Sequence, residues 1–363
     1  MMTSRKRSGG AGRFFMWTVL GAAALRVWSL APGLVVIRGR RSGVGVPPVP
    51  YAHRGLHDAG SGLDPDRRSQ GQKEYLELCQ HLEGAGSSEG PVGRHQARPD
   101  MPNDRRERSP LAPENSLPAF DAACRAGYGM ELDVHLTRDG RVVVIHDDNL
   151  KRVAGVDAAV ADLTYEQLCD IPLFPAPSRA GDSVSAPQQG GRDGQGGCHV
   201  PLLSDVLELV GGRTPIIVEY KMGSRLDSAL MEKTDALLSA YKGEYVIESF
   251  NPLALAWYRR HRPEVCRGQL AVPYHGPVRS LDQAVRWLAG RLWFNWLGRP
   301  DFVAMERRAG HGLPMRVYRF LGGRPVAWTV RSAEEGEAAR DDFDRFIFES
   351  YLPGRPGSAV ESA

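Results

Sequence analysis

Residues 129–134 have the sequence Gly-Met-Glu-Leu-Asp-Val, in which two acidic residues alternate with apolar ones. Successive side chains of a β-strand point to opposite faces, so Glu131 and Asp133 would lie on the same face. Two carboxylates inside an apolar strand repel each other unless a cation lies between them, and such oxygen ligands suit Ca²⁺ or Mg²⁺. The stretch therefore predicts a strand that carries part of a metal site. A strand at the polar edge of a sheet is the alternative.

Similar short apolar runs recur on both sides of this stretch and alternate with segments of helical periodicity. The nine strand candidates are Val49–His53, Met130–Val134, Val142–His146, Ile216–Tyr220, Tyr245–Ser249, Gln269–Val272, Phe302–Ala304, Val326–Val330 and Phe346–Phe348. The clearest helical segments are Leu117–Ala126, Leu203–Val210, Leu226–Tyr241 and Leu253–Arg260. Such alternation is typical of a parallel α/β barrel of TIM type or of a doubly wound sheet. A TIM-type barrel has eight strand positions, so we expect one candidate to lie outside it.

Two polar stretches interrupt this alternation. Residues 59–110 and 178–197 consist mostly of Gly, Ser, Pro, Gln, Asp and Arg. Such a composition buries too little apolar area to offset the entropy of the chain, so both are predicted to be disordered inserts. The predicted organisation is an N-terminal segment over residues 1–46, a barrel over 47–355 that contains both inserts, and a tail over 356–363.

The composition excludes several classes of function. The 363 residues carry a formal net charge of +3, which is too small to argue for nucleic acid as a partner. Hydrophobic residues make up 42% of the chain, enough for a sizeable core. The five cysteines are widely spaced, with no CxxC pair and no spacing typical of zinc ligands.

The N-terminus combines basic and apolar residues. The apolar runs Phe14–Leu25 and Val27–Ile37 are separated by Arg26. The basic residues ahead of them are Arg5, Lys6, Arg7 and Arg13. This pattern is typical of a signal peptide or signal anchor, although Arg26 and Pro32 are costly inside a bilayer. We expect membrane association through this segment with an extracytoplasmic catalytic domain, or else secretion after cleavage.

Three other apolar strands end in residues suited to phosphodiester chemistry. His53 and Arg54 follow the first strand, His146 ends the third, and Glu219 and Lys221 end the fourth. Catalytic residues of barrel enzymes lie at such strand ends. Two histidines can supply the base and the acid that cleavage requires. Glu219 could complete a three-carboxylate metal site, and Lys221 could bind a phosphate oxygen.

The order of these motifs resembles that of glycerophosphodiester phosphodiesterases, in particular the bacterial branch that often has a membrane segment ahead of the barrel. The motifs are His53-Arg54-Gly55, Pro113-Glu114-Asn115-Ser116, Glu131-Leu132-Asp133-Val134, His146-Asp147-Asp148, Val218-Glu219-Tyr220-Lys221, Glu248-Ser249-Phe250-Asn251-Pro252, Pro300-Asp301-Phe302-Val303-Ala304 and Ala327-Trp328-Thr329-Val330. The resemblance covers about residues 50–355 outside the two inserts. As a combination the motif set is highly specific.

The resemblance implies a TIM barrel that hydrolyses a glycerophosphodiester to glycerol phosphate and an alcohol with one divalent metal, Ca²⁺ or Mg²⁺. It implies metal ligands at Glu131, Asp133 and Glu219, an acid–base pair at His53 and His146, phosphate-binding residues at Arg54 and Lys221, and supporting residues at Glu114 and Asn115. Trp328 could line the substrate pocket or belong to the core. A lysophospholipase D-like activity on membrane lipids is the alternative. A barrel that binds without turnover is less consistent with two intact histidines.

Overall fold

Eight parallel strands close into a barrel in the computed structural model, which describes residues 10–32, 45–57, 112–174 and 198–354. The strands are β1 Tyr51–Ala52, β2 Gly129–Leu136, β3 Val142–Val144, β4 Ile216–Tyr220, β5 Tyr245–Ser249, β6 Arg267–Ala271, β7 Phe302–Glu306, β8 Arg324–Val330 and β9 Arg345–Phe348. Strand β1 pairs with both β9 and β2, which closes the ring. Strand β3 pairs antiparallel with β2 and lies outside it. The TIM-type barrel is confirmed, and Val142–His146 is the candidate that is not a barrel strand.

The helices follow the strands, as the predicted alternation requires. They are α1 Gly10–Leu30, α2 Leu117–Ala126, α3 Lys151–Ala154, α4 Tyr165–Cys169, α5 Leu203–Val210, α6 Ser228–Ala240, α7 Pro252–His261, α8 Leu281–Gly290, α9 Asn295–Gly298, α10 Leu313–Phe320 and α11 Ala333–Ala339, with short 3-10 turns at Val160–Asp162 and Arg307–Ala309. Helix α2 begins where the Ser116 hydroxyl accepts the Ala119 N–H, and it ends at Gly127 with φ 77°. Helix α6 is shorter than predicted because Asp227 caps its first turn.

The two faces of each barrel strand are chemically different. On β2, Met130 and Leu132 belong to an apolar cluster that also contains residues of the surrounding helices. A second cluster, to which Ile217 and Val246 belong, draws its residues from seven of the eight barrel strands and fills the interior. Side chains two residues apart share a strand face, so the acidic residues of β2, β4 and β5 lie in the same interior, toward the carboxyl ends of the strands.

Part of the N-terminal apolar segment lies in helix α1, which ends two residues before Pro32, and residues 33–37 lie outside the described ranges. Its last residue, Leu30, is buried in an apolar cluster with Val303 and Tyr318 of the barrel. Within the described ranges, no helix is both long enough and apolar enough to cross a bilayer. The predicted inserts at 59–110 and 178–197 and the tail at 356–363 lie outside the described residues.

Candidate active site

Charged side chains from five strands meet at the carboxyl end of the barrel. Each comes from the end of a strand or from the residues that directly follow it. They are His53 and Arg54 after β1, Glu131 and Asp133 on β2, Glu219 and Lys221 at the end of β4, Glu248 on β5, and Glu349 after β9. Strand register brings three of these side chains to the same level of the barrel, because Asp133 pairs with Glu219 and Glu219 pairs with Glu248.

Three buried carboxylates form a group that could hold a metal ion. Glu131, Glu219 and Glu248 each place one carboxylate oxygen within 4.8 Å of the others. All three side chains are buried, and among the described residues Glu131 Oε1 and both Glu248 oxygens have no hydrogen-bond partner. Burial and the neighbouring carboxylates raise the pKa of Glu131 and Glu248, and burial raises the pKa of Glu219 to about 7. A divalent cation with oxygen ligands would relieve this repulsion, so the residues fit Ca²⁺ or Mg²⁺.

Asp133, the third predicted ligand, is surrounded by donors. Asn115 donates from Nδ2 to Asp133 Oδ2 at 2.8 Å, Lys221 Nζ lies 3.0 Å from Oδ1, and Arg54 Nε lies 3.5 Å from Oδ2. Burial alone would raise the pKa of Asp133, but the charges of Lys221 and Arg54 outweigh it and lower that pKa well below its usual range. Asp133 is therefore an anion beside the acidic trio, and its role as a metal ligand stays a prediction.

Arg54 links the metal candidate to the predicted supporting residues. Its backbone has φ 58°, in the left-handed region that non-glycine residues rarely adopt. This conformation lets the Arg54 N–H donate to Glu131 Oε2 at 3.0 Å, while the guanidinium donates from Nη1 to Glu114 Oε1 at 2.9 Å. The following Gly55 has φ 80°, and a Cβ there would lie 2.9 Å from the backbone of Ala119. The His-Arg-Gly turn is thus held closely against helix α2.

Two cations border the acidic trio. Lys221 Nζ lies 2.7 Å from Glu219 Oε1, and its side chain keeps 15% exposure, which leaves it accessible to a bound anion. Burial would lower the pKa of Lys221, but Asp133 and Glu219 outweigh burial and raise it. Arg54 is also held charged by its carboxylate neighbours. Two fixed cations beside a metal site are the groups that can bind and stabilise a phosphate anion.

Each predicted catalytic histidine contacts a carboxylate through Nδ1. His53 is buried and its Nδ1 lies 3.2 Å from Glu349 Oε2. His146 is more exposed, and its Nδ1 lies 2.6 Å from Asp147 Oδ1. Burial and, to a smaller extent, the charge of Arg54 lower the pKa of His53 to about 4. His53 is therefore neutral at pH 7 and can accept a proton at Nε2.

Arg152 connects the second histidine to the rest of the site. Its Nε donates to Asp147 Oδ2 at 2.6 Å, and its Nη1 donates to Glu114 Oε2 at 3.0 Å. Glu114 in turn accepts from Arg54. Burial would raise the pKa of Glu114, but the hydrogen bond from Arg152 and the charge of Arg54 lower it to about 2. A chain of ion pairs thus runs from Arg54 to His146 and fixes their relative positions.

The sequence profile of the glycerophosphoryl diester phosphodiesterase family matches residues 106–335. The chain belongs to this family. A glycerophosphodiester phosphodiesterase from Bacillus altitudinis is 31% identical over 158 residues, which cover 42% of this chain and 59% of that protein. Human lysophospholipase D GDPD1 is 36% identical over 134 residues, 37% of this chain and 39% of that protein.

Solved structures agree on the fold of this family member. A phosphodiesterase from Oleispira antarctica, in complex with the product sn-glycerol-3-phosphate, superposes with a TM-score of 0.50 at 17% identity. The superposition covers 65% of this chain and 87% of that one. At this identity the similarity shows the fold alone.

Sequence reasoning on this phosphodiesterase family member missed three residues of the site. Glu248 lies within a quoted motif, and Glu349 directly follows the last strand, so the rule that strand ends carry chemistry could have found both. Arg152 lies on the short helix α3, where nothing in the sequence marks it. Trp328 is half-buried and contacts Phe250 edge to face at 5.8 Å, so it lies where β5 and β8 end rather than in the helix-packed core.

Proposed function

We propose that this protein hydrolyses glycerophosphodiesters to glycerol phosphate and an alcohol, using one bound Ca²⁺ or Mg²⁺. The observation that carries the proposal is the buried trio Glu131, Glu219 and Glu248, bordered by two cations and by two histidine–carboxylate pairs. Membership of the family and the relatives named above support the reaction class.

The residues of the site have different roles in the proposed reaction. When bound, the metal supplies positive charge to the phosphate oxygens and so favours the transition state. Arg54 and Lys221 hold non-bridging oxygens of the phosphate. His53 and His146 move protons, one accepting from the nucleophile and the other donating to the leaving alkoxide. Glu114 and Asn115 hold Arg54 and Asp133 in place.

A lysophospholipase D-like activity is a second candidate, favoured by the apolar rim of the site. Phe250, at the end of β5, keeps 41% exposure and contacts Trp328. Leu253 and Val272, which follow β5 and β6, are exposed as well. Exposed apolar groups beside the phosphate site would be covered by the acyl chain of a lysophospholipid. The human relative named above is a lysophospholipase D.

One assay tests both candidates. The full chain, with Ca²⁺ or Mg²⁺, is offered glycerophosphocholine, glycerophosphoethanolamine and lysophosphatidylcholine, and phosphate-containing products are identified by mass spectrometry. We expect glycerol phosphate from the first two. For the lipid, Phe250→Ala should lower kcat/KM by roughly 10-fold or more, the effect of losing one large apolar contact. The same variant should change the rate on glycerophosphocholine by less than about 3-fold, because that substrate has no acyl chain.

The control for this assay is Phe320→Ala, since Phe320 lies on helix α10 with 89% exposure. Turnover of none of the three substrates with either metal would refute the proposed function. If Phe250→Ala and Phe320→Ala change kcat/KM for lysophosphatidylcholine equally, the proposal that the apolar rim binds the acyl chain is wrong.

We also propose that the N-terminal helix attaches the protein to a membrane surface. Residues 20–28 of α1 are almost continuously apolar and mostly exposed, with 58% exposure at Leu25 and 50% at Trp28. A helix that is apolar on all sides is typically buried in protein or in lipid. Trp28 stacks against Trp296 at 6.2 Å and lies 4.3 Å below the guanidinium of Arg299. Tryptophan beside arginine is typical of the interface between bilayer and water.

Vesicle flotation tests this attachment. The full chain should float with vesicles of phosphatidylcholine and phosphatidylglycerol, and Leu25→Asp should lower the bound fraction because it places a charge on the exposed apolar helix. Val156→Asp is the matched control, since Val156 is an exposed apolar residue in the loop after α3. An uncleaved full chain that stays with the soluble fraction, or equal effects of the two variants, would contradict the proposal.

A further inference from the structure

The end of the last barrel strand places a buried carboxylate beside the predicted catalytic histidine. Glu349 directly follows β9 and is 3% exposed. Its N–H donates to Val330 O at 2.9 Å, which ties its backbone to β8. Its Oε2 accepts from His53 Nδ1 at 3.2 Å. On the other side, the His53 N–H donates to Phe348 O at 2.9 Å, so the histidine and the carboxylate are fixed by the same strand pairing.

Two further groups lie beside Glu349. Arg331 Nη2 donates to Oε2 at 3.4 Å. His57 Nε2 lies 3.8 Å from Oε1. The His57 side chain is only 4% exposed, and in the described part of the chain neither of its ring nitrogens has a hydrogen-bond partner. The predicted mechanism gives no role to His57, although it belongs to the same turn sequence as His53 and Arg54.

The charges in this cluster favour a neutral imidazole against a charged carboxylate. Burial would raise the pKa of Glu349, but the hydrogen bond from His53 and the neighbouring basic side chains, Arg331 among them, lower it to about 2. Burial and Arg54 lower the pKa of His53 to about 4. A neutral imidazole next to an anionic acceptor carries its proton on Nδ1, which leaves the lone pair on Nε2.

We propose that Glu349 is a positioning residue, which accepts the Nδ1–H of His53 and so fixes the tautomer and the ring orientation that present Nε2 to the phosphodiester. Arg331 holds the carboxylate through Oε2, and His57 lies beside Oε1. The catalytic consequence rests on the proposed function, whereas the tautomer of His53 does not. The arrangement follows the general logic of a histidine oriented by a buried carboxylate. It differs from the His146–Asp147 pair, which is formed by neighbours in sequence and is more exposed.

The tautomer can be measured without any substrate. In the full chain with ¹⁵N-labelled histidine, long-range proton–nitrogen NMR spectra distinguish Nδ1–H from Nε2–H, and His53→Ala identifies the signals of His53. We expect the Nδ1–H form in the wild type, a mixture of the two tautomers in Glu349→Ala, and recovery of the Nδ1–H form in Glu349→Asp. Glu335→Gln is the matched control, because Glu335 accepts the Arg331 N–H at 2.8 Å but does not contact His53. An unchanged tautomer in Glu349→Ala would overturn the proposal, even if its activity fell.

Kinetics test the catalytic consequence. Glu349→Gln keeps the size of the side chain and should lower kcat by at least about 10-fold, with an upper limit near the roughly 10⁴-fold effect of replacing the orienting carboxylate in a serine protease triad. The KM and the shift of Tm on adding Ca²⁺ should stay close to wild type, and the acid limb of the pH profile should move to lower pH because an anion beside His53 is gone. Equal kcat for wild type and Glu349→Gln would overturn the positioning role. If no substrate is turned over, the proposed function fails, while the NMR measurement still tests the proposal.

Discussion

Replacing any one of Glu131, Asp133 or Glu219 by alanine should abolish divalent-metal binding and activity while the barrel stays folded. The three residues lie on adjacent strands β2 and β4 and are buried. An incomplete set of oxygen ligands cannot compensate the cost of dehydrating a divalent cation. Activity should fall to background, because Arg54 and Lys221 cannot stabilise the negative charge of the transition state as well as they can together with the metal.

Glu248 extends this prediction beyond the residues that the motifs imply. It completes the trio with Glu131 and Glu219, and both of its oxygens are buried with no hydrogen-bond partner in the part of the chain that the structure describes. Glu248→Gln should therefore lower metal affinity by roughly 10-fold or more, within the range seen when groups around a metal site are removed. If Glu248→Gln binds the metal with unchanged affinity, the ligands are instead Glu131, Asp133 and Glu219, the set that the motifs imply.

Metal binding is measured by calorimetry and by the shift of Tm with Ca²⁺ or Mg²⁺. Glu337→Ala is the control, because Glu337 is a surface carboxylate that pairs with Arg340 at 2.9 Å. Excess chelator should have the same effect on the wild type as the ligand substitutions. Full activity in excess chelator would refute the metal site.

The acidic trio also makes the stability of the metal-free protein depend on pH. The pKa of Glu219 rises from 4.5 to about 7, so this group contributes stability below pH 4.5 that is lost as the pH rises through 7. Glu131 and Glu248 act in the same direction. The lowered pKa of His53 acts in the opposite direction, but only between about 4 and 6.5. The metal-free Tm should therefore fall as the pH rises from about 6.5 through about 7, and Ca²⁺ or Mg²⁺ should restore it.

The local pattern predicted most barrel strands but could not say which of them close the ring. Strand β2 was visible because acidic and apolar residues alternate on it, and β4 because an apolar run ends in Glu219 and Lys221. Val142–Val144 is as apolar as the barrel strands, and its Val143 is buried in an apolar cluster that includes Leu150 and Leu202. Nothing in its residues marks it as antiparallel. It lies outside the barrel because the turn at Thr137–Gly140, which connects it to β2, is too short for the crossover that a parallel pair requires.

The same limit applies to the site. Strand ends revealed His53 and Glu219, because each closes an apolar run, and the alternation of acidic and apolar residues revealed Glu131. The contact between His53 and Glu349 joins residues 296 positions apart, and it forms only when β1 pairs with β9. Sequence periodicity describes one strand at a time and cannot show which strands become neighbours, so the acceptor of His53 could not be predicted.

His53→Ala and His146→Ala should each lower kcat by roughly 10²–10⁴-fold, the usual contribution of a general acid or base. A phosphodiester is a stable anion with a poor leaving group, so its cleavage requires a proton acceptor for the nucleophile and a proton donor for the leaving oxygen. The metal and the cations Arg54 and Lys221 stabilise charge but do not transfer these protons. Neither histidine belongs to the acidic trio, so the shift of Tm with metal should be nearly unchanged in both variants.

The pH profile separates the two roles. The pKa of His53 is lowered to about 4, so His53 is neutral at pH 7 and suited to accept a proton. We therefore expect a bell-shaped profile of kcat/KM that loses its acid limb in His53→Ala and its alkaline limb in His146→Ala. His311→Ala is the control, because the His311 side chain is exposed and pairs with Asp342 at 2.8 Å, and neither residue is assigned to the site. A histidine variant that keeps near wild-type kcat, or that loses its metal instead, would show that the role given to that histidine is wrong.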